Sequence, residues 1–322
     1  MSEPGDWPTV SVVMPVRNEE HHLRAAVESI LAQEYPRPFD VYLAIAPCAD
    51  RTDEVAAALV AEHPSVHVVA NPAGFTPSGL NAAIRASQGD VVVRVDGHAE
   101  LCPGYIRRSV ETLQRTEAVN VGGVQRAEGT QPMQRAIAVA MTSRFGVGGG
   151  RTHLGGGEGP VDTVYLGVFR RSAIEAVGLF DESLHANQDY ELNIRLRAAG
   201  GVVWFDPHLW ATYRPRASLR ALWRQYFNYG RFKRRVAKRY PGSLRPRQAI
   251  PPLAVLALLG ALAVSPVWPW ALLVPAAYLL ALVVASLVAA GGPSPTALRL
   301  LVVYPTIQFA WASGFLIGRH RR

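Results

Sequence analysis

Residues 89–98 read GDVVVRVDGH. Val91–Val95 is a short apolar, β-branched run bounded by turn residues, which predicts a buried strand. It ends on Asp96, with His98 two residues later. In an extended chain, side chains at i and i+2 point to one face. A carboxylate and an imidazole brought together there suit Mg²⁺ or Mn²⁺, manganese accepting nitrogen more readily. Such an ion is held by few protein ligands and completes its shell with phosphates, as on a nucleoside diphosphate. D-x-H alone is a weak motif, and an aspartate at a strand end also serves as a cap for the next turn.

Working outward, the same rhythm precedes this strand. Thr9–Pro15 is an apolar strand run, and Glu19–Gln33 carries Leu23, Ala26, Val27, Ile30 and Leu31 at helical spacing. A second strand is expected at Val41–Ala46 and a third at Val66–Ala70, with helices at Thr52–Glu62 and Pro77–Ser87. This βαβαβαβ order predicts an α/β fold with a mostly parallel sheet and helices on both faces. Ligands of such sheets bind beyond the carboxyl ends of the strands. The residues there include Arg17, Glu19, Asp50, the 71–74 turn, Asp96 and His98. The sequence has no G-x-G-x-x-G after the first strand and no G-x-x-x-x-G-K-[ST], which disfavours a dinucleotide enzyme and a P-loop nucleotidase. The Gly-rich segment 146–159 reads equally as an active-site loop or a plain linker.

A second constellation stands at 187–197, NQDYELNIRLR. Leu192 and Leu196 mark one helical face, and Gly200-Gly201 end the helix. Asp189 and Glu191 then occupy the first turn, where the helix dipole favours the ionised carboxylate. That is the state a general base needs, and it is also ordinary dipole complementation.

Charge divides the chain. Of 33 Lys+Arg and 25 Asp+Glu in 322 residues, residues 1–206 hold 17 basic and 25 acidic groups, and residues 207–322 hold 16 basic and none acidic. The formal charge of +8 is therefore an acidic front joined to a basic back. Between Arg247 and Arg299 lie 51 residues without Asp, Glu, Lys or Arg, and 272–290 (LLVPAAYLLALVVASLVAA) has about the ~20 apolar residues that cross a bilayer core. Leu253–Ser265 and Leu300–Gly318 are further apolar runs, so two or three hydrophobic helices are expected. Pro266 and Pro269 mark a turn, and Trp268, Trp270, Tyr304 and Trp311 are interface anchors. Basic flanks at Arg245/Arg247 and Arg319–Arg322 both favour the cytoplasmic side. The two cysteines, Cys48 and Cys102, make neither a disulfide framework nor a zinc knuckle. The first ten residues lack the basic and apolar regions of a cleavable signal.

Ser218–Tyr240 (SLRALWRQYFNYGRFKRRVAKRY) is a basic amphipathic helix with aromatic anchors that leads into the apolar runs. It reads as an interfacial helix on an anionic leaflet. Arg224, Arg231, Lys233, Arg234 and Arg235 are its candidates for membrane or acceptor-phosphate contact. Nucleic acid is not expected, because the same segment enters the bilayer and the front is acidic. The expected division is 1–213 catalytic, 214–247 interfacial helix and linker, and 248–322 membrane module.

Four segments, in order, resemble the family 2 glycosyltransferases of GT-A fold, and look closest to the succinoglycan-biosynthesis type of membrane-attached bacterial enzymes. VSVVMPVRNEE (10–20) resembles the opening strand and its P-x-x-N-E turn, and GDVVVRVDGH the strand with the D-x-D metal motif, here D-x-H. VGLFDESL (177–184) resembles the segment before the catalytic helix, and NQDYELNIRLRAAGG (187–201) that helix itself. The resemblance implies inverting transfer of a sugar from a nucleotide-diphosphate donor, a UDP-sugar first, to a lipid-linked acceptor or growing exopolysaccharide or cell-wall glycan. The site would face the cytoplasm at the bacterial plasma membrane. It implies Asp96 and His98 as ligands of Mn²⁺ or Mg²⁺, Asp189 as base, and Glu191 as supporting carboxylate and second choice for the base. Pro15, Arg17, Glu19, Asp50, Asn81, Arg94 and Asp96 would bind the donor. The sequence departs from the family where 45–50 reads IAPCAD without the usual paired acids. A polyprenyl-phosphate glycosyltransferase is one alternative, and a catalytically weak scaffold in a glycan assembly complex another.

Overall fold

The computed structural model describes residues 7–318, so the flank at Arg319–Arg322 lies outside the described residues. The chain forms two compact units. One unit holds the described residues up to Arg126 together with Gly155–Tyr213, and the other holds Ala127–Leu154 with Arg214 onward.

The first unit is built on an eight-stranded sheet. Its strands are β1 (Val10–Val16), β2 (Phe39–Ile45), β3 (Val66–Ala70), β4 (Val91–Arg94), β5 (Asn120–Ala127), β6 (Gly159–Pro160), β7 (Tyr165–Arg170) and β8 (Val203–Tyr213). The order is β3-β2-β1-β4-β7-β5-β8-β6. β3, β2, β1 and β4 are parallel, as the βα rhythm requires. β7 joins β4 antiparallel, pairs antiparallel with β5, and β6 pairs antiparallel with β8. The antiparallel half follows the glycine-rich and irregular stretches of sequence, where no strand period could be read.

Helices α1 (Leu23–Leu31), α2 (Thr52–Glu62), α3 (Thr76–Ala86), α4 (Tyr105–Thr116), α8 (Arg171–Ala176) and α9 (Gln188–Ala198) cover this sheet. Strand alternation decides which face each residue serves. Val10, Val12, Met14, Val91 and Val93 pack with α1, α2 and α4. Val13 and Val92 pack with Leu80 and Ile84 of α3, Ile174 of α8, and Leu192 and Leu196 of α9. Arg94, two residues past Val92, therefore lies on the α3/α9 side.

The second unit contains α5 (Pro132–Met141), α6 (Arg144–Val147), α7 (Arg151–Leu154), α10 (Leu219–Arg239), α11 (Pro246–Val264), α12 (Leu273–Ala290) and α13 (Pro295–Ile317). The expected continuous 1–213 domain is thus interrupted at 127–154. The apolar face of α5, with Ala136, Ile137, Ala140 and Met141 buried, is covered by α13. The Ser143 and Tyr304 hydroxyls hydrogen-bond at 2.9 Å, and Gln308 Nε2 donates to the Phe145 carbonyl at 2.8 Å. α10 and α13 meet backbone to backbone: a Cβ on Gly230 would lie 2.0 Å from the Trp311 carbonyl, and one on Gly314 2.0 Å from that of Phe227. Three helices, Pro246–Val264, Pro269–Ala290 and Pro295–Ile317, are long and apolar enough to cross a membrane. The first two expose most of their leucines and valines, and Trp268 and Trp270 between them are 59% and 69% exposed.

Candidate active site

Val95 and Asp96 continue from β4, and the chain then turns, with Ala99 N donating to the Asp96 carbonyl at 2.9 Å. The i/i+2 argument therefore stops at Asp96, and His98 is placed by a turn instead of by strand alternation. Gly97 makes that turn possible at close quarters, because a Cβ there would come within 3.1 Å of Glu19 Cγ.

Arg94 is buried, and its Nε and Nη2 donate to Asp96 Oδ1 at 3.1 and 2.9 Å. Its Nη1 is buried without a hydrogen-bond partner. Burial pushes this guanidinium toward neutrality, but the Asp96 and Asp189 carboxylates outweigh burial and hold its pKa above the ordinary value. Asp96 thus bonds this buried cation directly, and the charge of Asp189 acts on it as well. Arg94, expected beside the donor, is the hydrogen-bond partner of Asp96.

Asp189 and Glu191 occupy the first turn of α9, as the sequence predicted. Asn187 precedes it at φ +60°, a left-handed conformation that asparagine tolerates. The two carboxylates differ in surroundings. Glu191 is fully buried, and both its oxygens accept from Arg195 at 2.7–3.1 Å. Arg195 also donates to the Val177 and Leu179 carbonyls. This carboxylate belongs to an i,i+4 ion pair that fastens the α8–α9 connection, and it is not presented to an acceptor. Asp189 Oδ1 accepts from Tyr190 N at 2.8 Å, and its charge helps hold Arg94 protonated.

Three residues expected at the donor make hydrogen bonds within the protein. Asn81 lies on the buried stripe of α3 with Pro77, Leu80 and Ile84. Its amide donates to the Phe180 carbonyl and Glu182, and accepts from Phe180 N, at 2.8–3.0 Å. Asp50 binds Thr52 N and Oγ1 at 3.1 and 2.6 Å and Glu20 N at 3.2 Å, so its carboxylate ties the β1 turn to α2. The Thr52 hydroxyl, first among the causes, keeps its pKa below the ordinary range. Glu19, expected at the nucleotide, has Oε1 2.8 Å from His98 Nδ1. Pro15 sits in β1 opposite Ala44, and Arg17 Nη1 donates to the Gly74 carbonyl at 3.2 Å.

The residues present fit a divalent ion. Asp96 would supply carboxylate oxygen, steadied through Oδ1, and His98 an imidazole already oriented by a carboxylate, as metal-binding histidines usually are. No group of three or more His, Cys, Asp or Glu able to hold a metal occurs among the described residues.

Tyr165 was not foreseen. Its hydroxyl is buried, and burial first, then the charge of Asp96, raise its pKa well above the ordinary value. The next residues, Leu166 and Gly167, have φ of +61° and +97°. Positive φ at a leucine is strained, and the only sequence signal was a glycine inside a strand.

In the second unit Lys233 is buried, with Nζ donating to the Ser243 carbonyl at 3.0 Å. It shares one buried helical face with Leu222, Tyr226 and Gly230, whereas the expectation had it among the residues contacting membrane or acceptor phosphate. Arg234 Nη1 donates to the Leu316 carbonyl at 2.7 Å, and Arg231 lies over the Phe232 ring at 4.9 Å. Arg235 is half-buried, and Arg224, Lys238 and Arg239 are exposed.

Residues 8–228 match the family described as glycosyltransferase like family 2. The chain belongs to this family. The glycosyltransferase is 32% identical over 269 residues to the succinoglycan biosynthesis protein ExoA of Rhizobium meliloti (strain 1021), covering 81% of this chain and 82% of that one. It is 25% identical over 234 residues to a dolichyl N-acetyl-alpha-D-glucosaminyl phosphate 3-beta-D-2,3-diacetamido-2,3-dideoxy-beta-D-glucuronosyltransferase of Methanococcus voltae, covering 70% and 72%. Among solved structures, the mannosyltransferase PcManGT of Pyrobaculum calidifontis, in complex with GDP-Man and Mn²⁺, superposes with a TM-score of 0.63 at 20% identity, covering 99% of this chain and 90% of that one. S. aureus TarS 1-349 with UDP gives 0.52 at 14% identity, covering 98% and 93%. The fold is GT-A, carried on a chain with three C-terminal helices apolar enough to span a membrane.

Proposed function

We propose that this glycosyltransferase transfers a sugar, with inversion, from a nucleotide-diphosphate donor to a hydroxyl of a lipid-linked or growing exopolysaccharide or cell-wall glycan. A UDP-sugar is the first choice of donor, and the work is done at the cytoplasmic face of the bacterial plasma membrane. The observation that carries this reading is the buried Arg94, which bonds Asp96 and feels the charge of Asp189. This cation hydrogen-bonds the carboxylate of the D-x-H turn and feels the charge of the carboxylate at the start of α9.

Asp189, at the start of α9, takes the proton of the acceptor hydroxyl as that oxygen attacks the anomeric carbon from the side opposite the diphosphate. Glu191 cannot compete, since Arg195 holds both its oxygens. Asp96 and His98 would hold Mn²⁺ or Mg²⁺, which supplies charge neutralisation on the leaving diphosphate. Pro15 and Arg17 bound the donor pocket at the carboxyl ends of the parallel strands. Arg224, Lys238 and Arg239, exposed on α10, face anionic headgroups, and α11–α13 enter the bilayer.

The Methanococcus relative, whose name specifies a lipid-linked sugar acceptor, supports a lipid-linked acceptor here. A direct polyprenyl-phosphate acceptor is the second reading. It is favoured by 30% identity over 138 residues, 41% of this chain, to an undecaprenyl-phosphate 4-deoxy-4-formamido-L-arabinose transferase of Pectobacterium carotovorum. The test is a screen of UDP- and GDP-sugars with purified protein and bacterial lipid extract, read by mass spectrometry of the lipids. A sugar added to a lipid-linked glycan supports the first reading, and a polyprenyl monophosphate sugar supports the second. No transfer from any donor refutes both.

A further inference from the structure

Glu19 follows the first strand, where a nucleotide contact was expected, yet its side chain is turned to the D-x-H turn. Its backbone N–H is held by Thr52 Oγ1 at 2.7 Å. The preceding Asn18, at φ +55°, accepts from Ala49 N at 2.8 Å, so the turn is pinned on both sides. Glu19 Oε1 lies 2.8 Å from His98 Nδ1, with the two side chains 17% and 24% exposed. Gly97 leaves just the room that the Glu19 stem requires.

We propose that Glu19 is a positioning residue for the metal: its carboxylate fixes the His98 ring and tautomer, so that Nε2 is the nitrogen turned to the ion. This rests on the metal reading of Asp96 and His98 given above. An ionised carboxylate can only accept a hydrogen bond, so the proton of the neutral imidazole sits on Nδ1 and the lone pair on Nε2. A carboxylate behind a ligating histidine also raises its basicity, and losing such a partner typically costs 10–100-fold in metal affinity. The two ligands are braced alike, Asp96 by Arg94 and His98 by Glu19. A nitrogen ligand so fixed favours Mn²⁺ over Mg²⁺, which prefers oxygen. The departure from D-x-D is thereby matched by a residue 79 positions away.

The experiment is a Mn²⁺ titration of the full detergent-purified chain at fixed UDP, with free Mn²⁺ read by electron paramagnetic resonance. ¹⁴N modulation of the bound ion is read alongside. Wild type, Glu19→Ala, Glu19→Gln and His98→Ala are compared, and UDP binding is measured separately in EDTA. Glu19→Ala should weaken Mn²⁺ about 10–100-fold. Glu19→Gln, which keeps an acceptor oxygen, should weaken it less, and neither should alter UDP binding in EDTA. The ¹⁴N signal should be present in wild type and absent in His98→Ala. Unchanged Mn²⁺ affinity in both Glu19 variants, with His98→Ala weakened, overturns the role of Glu19. Weakened UDP binding in EDTA with unchanged Mn²⁺ affinity returns Glu19 to the nucleotide pocket and also overturns it. If His98→Ala changes nothing, the metal reading itself has failed.

Discussion

Replacing Glu191 by glutamine separates a carboxylate that holds the fold from one that does chemistry. Glu191 is fully buried and takes three contacts from Arg195 at 2.7–3.1 Å. Glutamine keeps the shape and one acceptor oxygen but leaves the Arg195 charge uncompensated. Truncating one partner of a buried ion pair costs about 3–5 kcal/mol. The retained hydrogen bond returns about 1 kcal/mol of this, and Arg195 is 19% exposed and still bonds two carbonyls. The expected loss is therefore about 3 kcal/mol, or about 6–12 °C in Tm at about 2–4 °C per kcal/mol for a unit of this size. Thermal melting reads the first quantity, and kcat well below the melting transition reads the second. Glu191→Gln should melt early and keep kcat within about threefold of wild type. Asp189→Asn, which leaves the Arg94–Asp96 bonds in place, should melt closer to wild type than Glu191→Gln does and lose about 10²–10⁴ in kcat, the range of a general base. An Glu191→Gln enzyme of normal Tm with kcat down a hundredfold would refute the assignment.

Asn81→Ala should lower stability by about 2–4 kcal/mol, because the Phe180 N–H and carbonyl are left unpaired in a buried place. Its donor KM, by steady-state kinetics, should move less than about threefold. Gly230→Leu should force α10 from α13, where even a Cβ would lie 2.0 Å from a carbonyl oxygen. Overpacking of this kind costs about 1–3 kcal/mol or more, read as aggregation by size-exclusion chromatography in detergent. Asp90 accepts from Thr9 Oγ1 and N at 2.6 and 3.0 Å, and the Thr9 hydroxyl, chief among the causes, lowers its pKa. Its contribution to stability is complete above the ordinary carboxylate pKa and is lost as pH falls through the lower folded value. Asp90→Asn should flatten that part of the acid limb of stability, measured by denaturant melts between about pH 2 and 5.

The parallel half of the sheet was legible because each strand and helix carried its own period. Thr52–Glu62 and Val66–Ala70 fall where the apolar spacing put them, and the other early elements shift by a few residues. The antiparallel half was not legible. β6 has two residues, β5 contains Gly122 and Gly123, and β7 contains Gly167, so none shows a clean alternation. The candidate site was legible as a set of strand ends and one helix start, which named Asp96, His98, Asp189 and Glu191. Partners were not. The pairings Arg94–Asp96, Glu19–His98, Glu191–Arg195 and Asn81–Phe180 depend on how helices face the sheet, which the one-dimensional pattern does not encode. For the same reason Lys233 counted as a surface charge, although its spacing from Leu222, Tyr226 and Gly230 places it on the buried stripe.

The central claim is sugar transfer driven by Asp189 beside the Arg94–Asp96 pair. Its most direct test is the rate of donor consumption, read as released nucleoside diphosphate, by wild type and Asp189→Asn with Mn²⁺ and lipid acceptor. Consumption of a donor by wild type, with a loss of about 10² or more in Asp189→Asn, is the predicted result. Equal rates in the two proteins, or no donor consumed by wild type, would contradict it.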